Sequence, residues 1–470
     1  MSEKKYDAVV VGSGPNGLAA AITLAQAGRS VLLIEANKTT GGGLRSAALT
    51  HTGCIHDICA AAHPLGIASP FFNTLGLAPY GLEWLNPLVP LAHPFDDGTA
   101  VLLERSLTTT AQNLGSDGRN YWKLMRPLVR NWDKLLPEIL SPLHFPKHPL
   151  VLGRFGLAAG QSAGYVIFKN FRNKQARALF AGIAAHGKIP LDKPGSAAFG
   201  LLLGAAGHAA GWPIAKGGSQ QIAEALQKHF IEMGGEVETG REIHSLAELP
   251  QAKVVLLDIT PKQLGAISGN RLPASAKKKL AGHRYGPGVF KMDWVLDGSI
   301  PWKARDCLKA ATVHIGGTFE EIAGAEDEVW KGQHPGFPFV LLVQPCLFDE
   351  TRAPKGKQTV WAYCHVPNGS TFDMSERIES QIERFAPGFR SRIRARSLMN
   401  TAAMEADNAN YIGGDIAGGV RNPFSLVLNP RPYTTPVKGV YVCSSSMPPG
   451  AGVHGMCGYY AAKKAMREIR

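Results

Sequence analysis

Residues 6–36 read YDAVVVGSGPNGLAAAITLAQAGRSVLLIEA, and their pattern decides the fold class. An apolar run at Tyr6–Val11 meets the turn G-S-G-P-N-G. A small-residue helical pattern then runs to Gly28, and a second apolar run at Ser30–Ile34 closes on Glu35. Strand, glycine turn, helix and strand in this order make a βαβ unit, the dinucleotide-binding arrangement of an α/β fold. Each glycine has its own task. Gly12 permits the tight turn, Gly14 lets a pyrophosphate approach the backbone, and Gly17 lets helix and strand pack closely, with the helix N-terminus turned to the phosphates. Pro15 suits the first helical turn. Glu35 is placed to accept from ribose hydroxyls and to repel a 2′-phosphate, which disfavours NADP at this site.

The chain beyond this unit extends the reading. In T-T-G-G-G-L-R-S, Thr39–Ser46, the glycines Gly42 and Gly43 followed by Arg45 suit a backbone wrapping a long cofactor, with a cation near its pyrophosphate. At the far end a strand-like GVYVCSSS, 439–446, runs into MPPGAGVHGMCGYYAAKKAMREIR. Pro448, Pro449, Gly450 and Gly452 break the chain, and a helix is expected from near His454 almost to Arg470. Its N-terminal N–H groups and positive dipole end are the kind of site that stabilises an anionic ring edge.

Together with WPIAKGGSQQIAEAL at Trp212–Leu226 and GGDIAGG at 413–419, these motifs resemble the FAD-dependent phytoene desaturase and carotenoid isomerase superfamily. Within it the pattern is similar to the branch of pyridine nucleotide-disulphide oxidoreductase domain-containing protein 2. The resemblance touches both ends and the middle of the chain and is specific mainly in the FAD-binding parts; residues 76–207 show little that matches. It implies an α/β protein whose Rossmann-like FAD-binding domain is assembled from 1–75, 208–280 and 405–470, with an interleaved α+β substrate domain from 76–207 and 281–404. It implies FAD contacts at Gly12, Ser13, Gly14, Gly17, Glu35, Ala36, Gly42, Gly43 and Arg45, and a backbone contact to adenine near Ile243. At the C-terminus it implies contacts at Ser444, Ser445, Val453, His454, Gly455 and Met456, with Asp415 serving the same cofactor. It also sets H-D-I-C-A-A-A-H-P beside the flavin, where Asp57 and His63 are candidates to orient substrate or a proton-bearing water, against a plain structural role. His454 is a third catalytic candidate, as a donor that tunes the reduced cofactor, against a first-turn structural role.

The remainder of the sequence narrows the function classes. With 470 residues, 45% hydrophobic and 19% charged, the chain has the composition of a globular protein of two to three domains. Its seven cysteines are scattered and contain no C-x-x-C, which suits a reduced, cytoplasmic compartment. Cys54, His56, Cys59 and His63 fall within ten residues, but four ligands packed so locally would strain the backbone, and no metal is expected. No G-x-S-x-G elbow argues for a hydrolase. Pro194–Ala215 runs 22 residues without Asp, Glu, Lys or Arg, yet carries seven Gly or Pro, so a buried helix plus loop is expected rather than a membrane span.

Net charge is +13 and uneven: residues 119–178 hold 11 basic and 2 acidic residues, interleaved with Trp122, Leu124, Leu128, Trp132, Leu135 and Leu136 at helical spacing. That suits either a solvated basic face or a peripheral helix at an anionic membrane surface. No nucleic-acid signature accompanies it, and no nucleic-acid partner is expected. The sequence thus leads to an FAD-dependent oxidoreductase that dehydrogenates a hydrophobic small molecule by hydride transfer to flavin. With no second G-x-G-x-x-G, quinone or O2 is the economical electron acceptor. A redox-neutral polyene isomerase, an amine-oxidase-like flavoenzyme and a non-catalytic flavin-binding scaffold are the alternatives.

Overall fold

The structure, a computed structural model, describes residues 5–420 and 432–469. The elements that position the site begin with β1 (Tyr6–Val11), α1 (Pro15–Gln26) and β2 (Val31–Glu35), followed by β3 (Val89–Pro94) and β4 (Ala100–Leu103). A helical stretch contributes α2 (Gly118–Arg130), α3 (Trp132–Ile139), α4 (Pro149–Ala159), α5 (Lys174–Ala185), α6 (Ala197–Ala209) and α7 (Gln220–Glu232). After it come β5 (Glu236–Thr239), β6 (Ala252–Leu257), β7 (Gly288–Asp297), β8 (Ala310–Ile315), β9 (Val340–Val343), β10 (Lys357–Val366), β11 (Ile393–Met399), β12 (Val440–Val442) and α8 (Met456–Ala465).

The runs VVV of β1, VLLI of β2 and LL of β6 are buried, the signature of a parallel sheet covered on both faces. They pair in a wholly parallel five-stranded sheet of order β12-β6-β1-β2-β5, with Val11 opposite both Leu257 and Ile34. Its strands all fall within 1–75, 208–280 and 405–470. Helix α1 packs against α8 through small residues, and the approach is close: a Cβ on Gly458 would stand 1.8 Å from the Asn16 carbonyl oxygen. The C-terminal helix therefore locks onto the N-terminal one.

The second sheet has seven strands in the order β11-β7-β10-β9-β8-β3-β4. Only β8 and β3 run parallel; the other neighbours are antiparallel. These strands come from 89–103 and 288–399, the stretches outside the first sheet. One hydrophobic cluster joins the two halves, running from Val10 and Leu18 through Leu91, Leu179 and Leu201 to Leu341.

The apolar stretch 194–215 supplies the buried helix α6, and among the described residues no helix is long and apolar enough to cross a membrane. The segment 119–178 is largely helical, and the six apolar side chains interleaved with its bases in α2 and α3 turn inward. Leu128, Trp132, Leu135 and Leu136 are buried and Trp122 and Leu124 half-buried, because the helical period turns them into the core and leaves the bases outside.

Candidate active site

A cavity of about 780 Å³ runs from the carboxyl end of the parallel sheet to residues of the seven-stranded sheet. Its first wall is the turn after β1. Gly12 has φ +92°, a backbone setting that favours glycine, and a Cβ on Gly17 would lie 1.9 Å from the Gly12 carbonyl oxygen. A Cβ on Gly42 would come within 3.0 Å of Gly14 Cα. Gly12, Ser13, Gly14, Gly42 and Gly43 thus form a bare backbone cradle on the cavity wall, while Gly17 stands behind it and serves packing.

The sequence reading missed the group beneath this cradle. Asp258, at the end of β6, lines the cavity and its Oδ2 accepts from the Gly17 N–H at 3.0 Å. It therefore caps α1, whose own N-cap, Gly14, has no side chain to offer. Burial, and then the charge of Glu35, push the Asp258 pKa up to about 7, with the Gly17 amide pulling the other way. In the sequence it was only the residue ending a strand, 241 positions from its partner.

Glu35 is on the wall beside Ala36, but its carboxylate is already engaged. It accepts from the Ser13 N–H (2.9 Å) and hydroxyl (2.5 Å) and from the Asn37 N–H (2.9 Å). A ribose hydroxyl would share these lone pairs rather than meet a bare carboxylate. Ile243 closes this end. The residues fit an FAD: the cradle leaves no side chain in the way, and the first-turn N–H groups of α1 lack intrahelical acceptors. Asn16 Oδ1 is buried on the wall with no partner among the described residues.

Several expected contacts lie elsewhere. Arg45 does not reach the wall, because its guanidinium is held by the Asp407 carboxylate (2.6 Å) and by the carbonyls of Asp407 and Gly42. At the C-terminus, Ser445 and Val453 line the cavity, with Pro449, Ala451 and Gly452. Ser444, His454, Gly455 and Met456 do not. Gly455 has φ +69°, so the helix begins at Met456, two residues past His454, and a Cβ on Gly455 would meet Phe72 and Ala19. His454 is fully buried behind the wall, its Nδ1 accepting from the Met456 N–H at 3.0 Å.

The two candidates near residue 60 separate. Asp57 is buried away from the cavity and accepts from Arg352 (2.6 Å), the Ser46 hydroxyl (2.7 Å) and the Ser219 N–H (2.7 Å). Burial alone would raise its pKa, but the Arg352 guanidinium outweighs it and holds the carboxyl below its ordinary range. This is a structural ion pair. His63 does line the cavity. Since the Ser219 hydroxyl donates to the Ala60 carbonyl (2.6 Å), it accepts from His63 Nε2–H (2.8 Å), which leaves Nδ1 as a lone pair without a partner among the described residues. Burial pushes the His63 pKa down to about 4, so the ring is neutral at pH 7.

Further in, the wall carries Lys188, a non-glycine residue at φ +52°, paired with Asp415 and donating to the Pro287 carbonyl (3.2 Å). Asp415 is buried and also accepts the N–H groups of Gly286 and Gly419. Around this neutralised pair the chamber is apolar, with Phe155, Leu202, Trp212, Leu341 and Trp361. Neither Lys188 nor the neighbouring His186, whose Nε2 meets His314 Nε2 at 2.9 Å, carried a sequence signal. Among the described residues no group of three or more His, Cys, Asp or Glu is arranged to hold a metal; His56 meets Thr50 (2.9 Å) and faces Asp293 (3.5 Å) instead.

Residues 10–75 match the family model of the NAD(P)-binding Rossmann-like domain. The chain is similar to pyridine nucleotide-disulfide oxidoreductase domain-containing protein 2 of Mus musculus, 23% identical, over 99% of this chain and 94% of that protein. It is also similar to the phytoene desaturase of Fusarium fujikuroi, 24% identical over 80% of this chain and 68% of that one. Among solved structures, an oxidoreductase from Methanosarcina mazei superposes with a TM-score of 0.68 at 14% identity, covering 99% and 100% of the two chains. Putrescine oxidase bound to putrescine superposes at 0.62 and 18% identity, covering 99% of each. The chain is thus related in sequence to oxidoreductases, the phytoene desaturases among them, and in fold to putrescine oxidase, with a glycine cradle that fits FAD.

Proposed function

We propose that this protein desaturates a hydrophobic small molecule, its flavin taking a hydride and passing the electrons on to quinone or O2. The observation that carries the reading is the continuity of the cavity: the glycine cradle of the cofactor and the apolar chamber are one space, in which Lys188 and Asp415 neutralise each other. Such a chamber offers contact area to an apolar chain and no unpaired charge to fix an ionic substrate. When bound, FAD supplies the hydride acceptor.

The chain's own residues then position and deprotonate. Loss of a hydride makes the adjacent C–H of the substrate strongly acidic, so a weak base suffices to take its proton. His63 is such a base: held near pKa 4, it stays unprotonated in neutral water, and its Nδ1 lone pair has no partner among the described residues. The ring of Trp84 packs 5.8 Å from the imidazole, centroid to centroid, and helps to exclude water. Among the described residues only the N-terminal sheet is wholly parallel, which supports an acceptor without its own dinucleotide domain.

Anaerobic mixing of the purified holoprotein with polyene, acyl-chain and amine substrates tests the reading. Bleaching of the oxidised flavin by an apolar chain supports it. Bleaching by amines alone makes the protein an amine oxidase, and a polyene isomerised only after prior photoreduction makes it an isomerase; either outcome defeats the proposal.

A further inference from the structure

Between α3 and α4 and along the outer face of α4, four large apolar side chains stand in solvent: Leu143 (73% exposed), Phe145 (92%), Leu150 (88%) and Leu157 (79%). Single exposed leucines are ordinary; a group this dense is not. The loop that carries the first two is held, not slack. Buried Glu138 accepts from the His148 N–H (2.9 Å) and pairs with His144 (2.7 Å), while the Ser141 hydroxyl donates to the Glu138 carbonyl (2.9 Å). Phe145 is thus presented by a braced turn.

The opposite face of α4 is apolar too. Phe155 is buried there and lines the cavity with Ile139 and Leu140 of α3 and the turn after it. One helix therefore separates the chamber from solvent, apolar on both sides, a pattern that water does not satisfy.

The charge around it has one sign. Residues 139–191 contain no Asp or Glu and seven Lys or Arg, Lys147 and Arg154 among them and exposed. Pro127 of α2 and Asn131 just after it share a groove with Leu150, Val151 and Arg154 of α4, so the exposed Lys123, Arg126 and Arg130, spaced three and four apart on α2, continue the basic rim. A second copy of the chain would bring these like charges together, whereas an anionic lipid surface complements them.

We propose that the α3–α4 loop and the outer face of α4 dock this protein on an anionic lipid surface, Phe145 and Leu150 entering the acyl boundary and Lys147 and Arg154 meeting the headgroups. Docking sets the α4 wall of the cavity against the bilayer, where an apolar substrate resides. The docking stands apart from the proposed chemistry; only its use for substrate entry rests on that reading.

Flotation of the holoprotein with phosphatidylcholine vesicles, and with mixed phosphatidylcholine–phosphatidylglycerol vesicles, tests it without any turnover. The wild type is expected to float with the mixed vesicles and to lose about tenfold of that binding at high salt. Phe145→Asp/Leu150→Asp and, separately, Lys147→Glu/Arg154→Glu are each expected to lose about tenfold or more at low salt while keeping the flavin spectrum that reports a folded protein. Absence of flotation with the mixed vesicles overturns the proposal, as does equal flotation of both variants. A concentration-dependent dimer that the Phe145→Asp/Leu150→Asp variant abolishes, without flotation, would assign the face to a second copy and overturn it as well.

Discussion

Arg352 reaches back 295 residues to Asp57, and the pair shows how a side chain that reads as catalytic in the sequence becomes architecture in the fold. Both partners are buried, so removing one leaves the other charged without a counter-ion. Arg352→Met is expected to destabilise the protein by about 3–5 kcal/mol, with Asp57→Asn/Arg352→Met recovering part of that loss in urea unfolding. A single substitution costing less than about 0.5 kcal/mol would show that the pair holds nothing. Asp258 makes the opposite electrostatic case. Its folded pKa lies near 7, above the ordinary carboxyl value of 3.8, so the folded state holds a proton that the unfolded state has released between those limits. Its contribution to stability is therefore present below about pH 4 and is lost as pH rises to about 7, at no more than about 1.4 kcal/mol per pH unit. Asp258→Asn keeps an acceptor for the Gly17 N–H and should remove that slope; urea midpoints of wild type and variant that run parallel from pH 4 to 8 would refute the assignment.

Helix α8 meets α1 where neither has a side chain to spare, and this crossing carries the C-terminal wall of the cavity. A Cβ on Gly458 at 1.8 Å from the Asn16 carbonyl meets backbone, which cannot swing aside, so the helices must part. Gly458→Ala is expected to cost at least about 2 kcal/mol and, because Gly452 and Val453 lead into α8, to weaken flavin retention by tenfold or more. Retention at wild-type level, read by fluorescence of released flavin, would uncouple the crossing from the wall. The same crossing marks the limit of what the sequence discloses. The βαβ unit was legible because its strand, turn and helix are contiguous and each glycine answers to a local steric demand. The C-terminal contacts were only half legible: Ser445 and Val453 reach the wall, while His454, Gly455 and Met456 are turned behind it by a left-handed residue whose φ no spacing announces. Arg45 was legible as a cation but not in its destination, since Asp407 lies 362 residues away.

Taken whole, the molecule keeps a set of imidazoles uncharged, His63 and His186 on the cavity wall and His93, His208 and His314 elsewhere in the core. Burial is the first cause in each case: it pushes His63, His93 and His208 down to about 4, His186 to about 3 and His314 well below its ordinary 6.5. Their partners are neutral or backbone groups, such as the Gly317 carbonyl for His93 (2.7 Å) and the Tyr121 hydroxyl for His208 (2.8 Å), which solvate an imidazole but do not pay for an imidazolium. The sign follows. Below pH 6.5 the unfolded chain takes up protons that the folded one refuses, so unfolding gains protons and stability falls as pH falls towards 4. Asp258, Glu104 and Asp407, raised above the ordinary carboxyl value, oppose this, while Asp57 and Asp415, held below it, add losses only at lower pH. These histidines, with His229 and His334 also lowered by burial, outnumber the raised carboxyls, so unfolding takes up a net excess of protons, each worth at most about 1.4 kcal/mol per pH unit. Urea unfolding at pH 7, 6 and 5 is therefore expected to show midpoints dropping steeply below pH 6, with an unchanged dependence on urea concentration, and His208→Gln should lessen the slope by about one proton. A midpoint flat between pH 7 and 5 would mean that these imidazoles titrate freely, and that their surroundings are wet rather than closed to water.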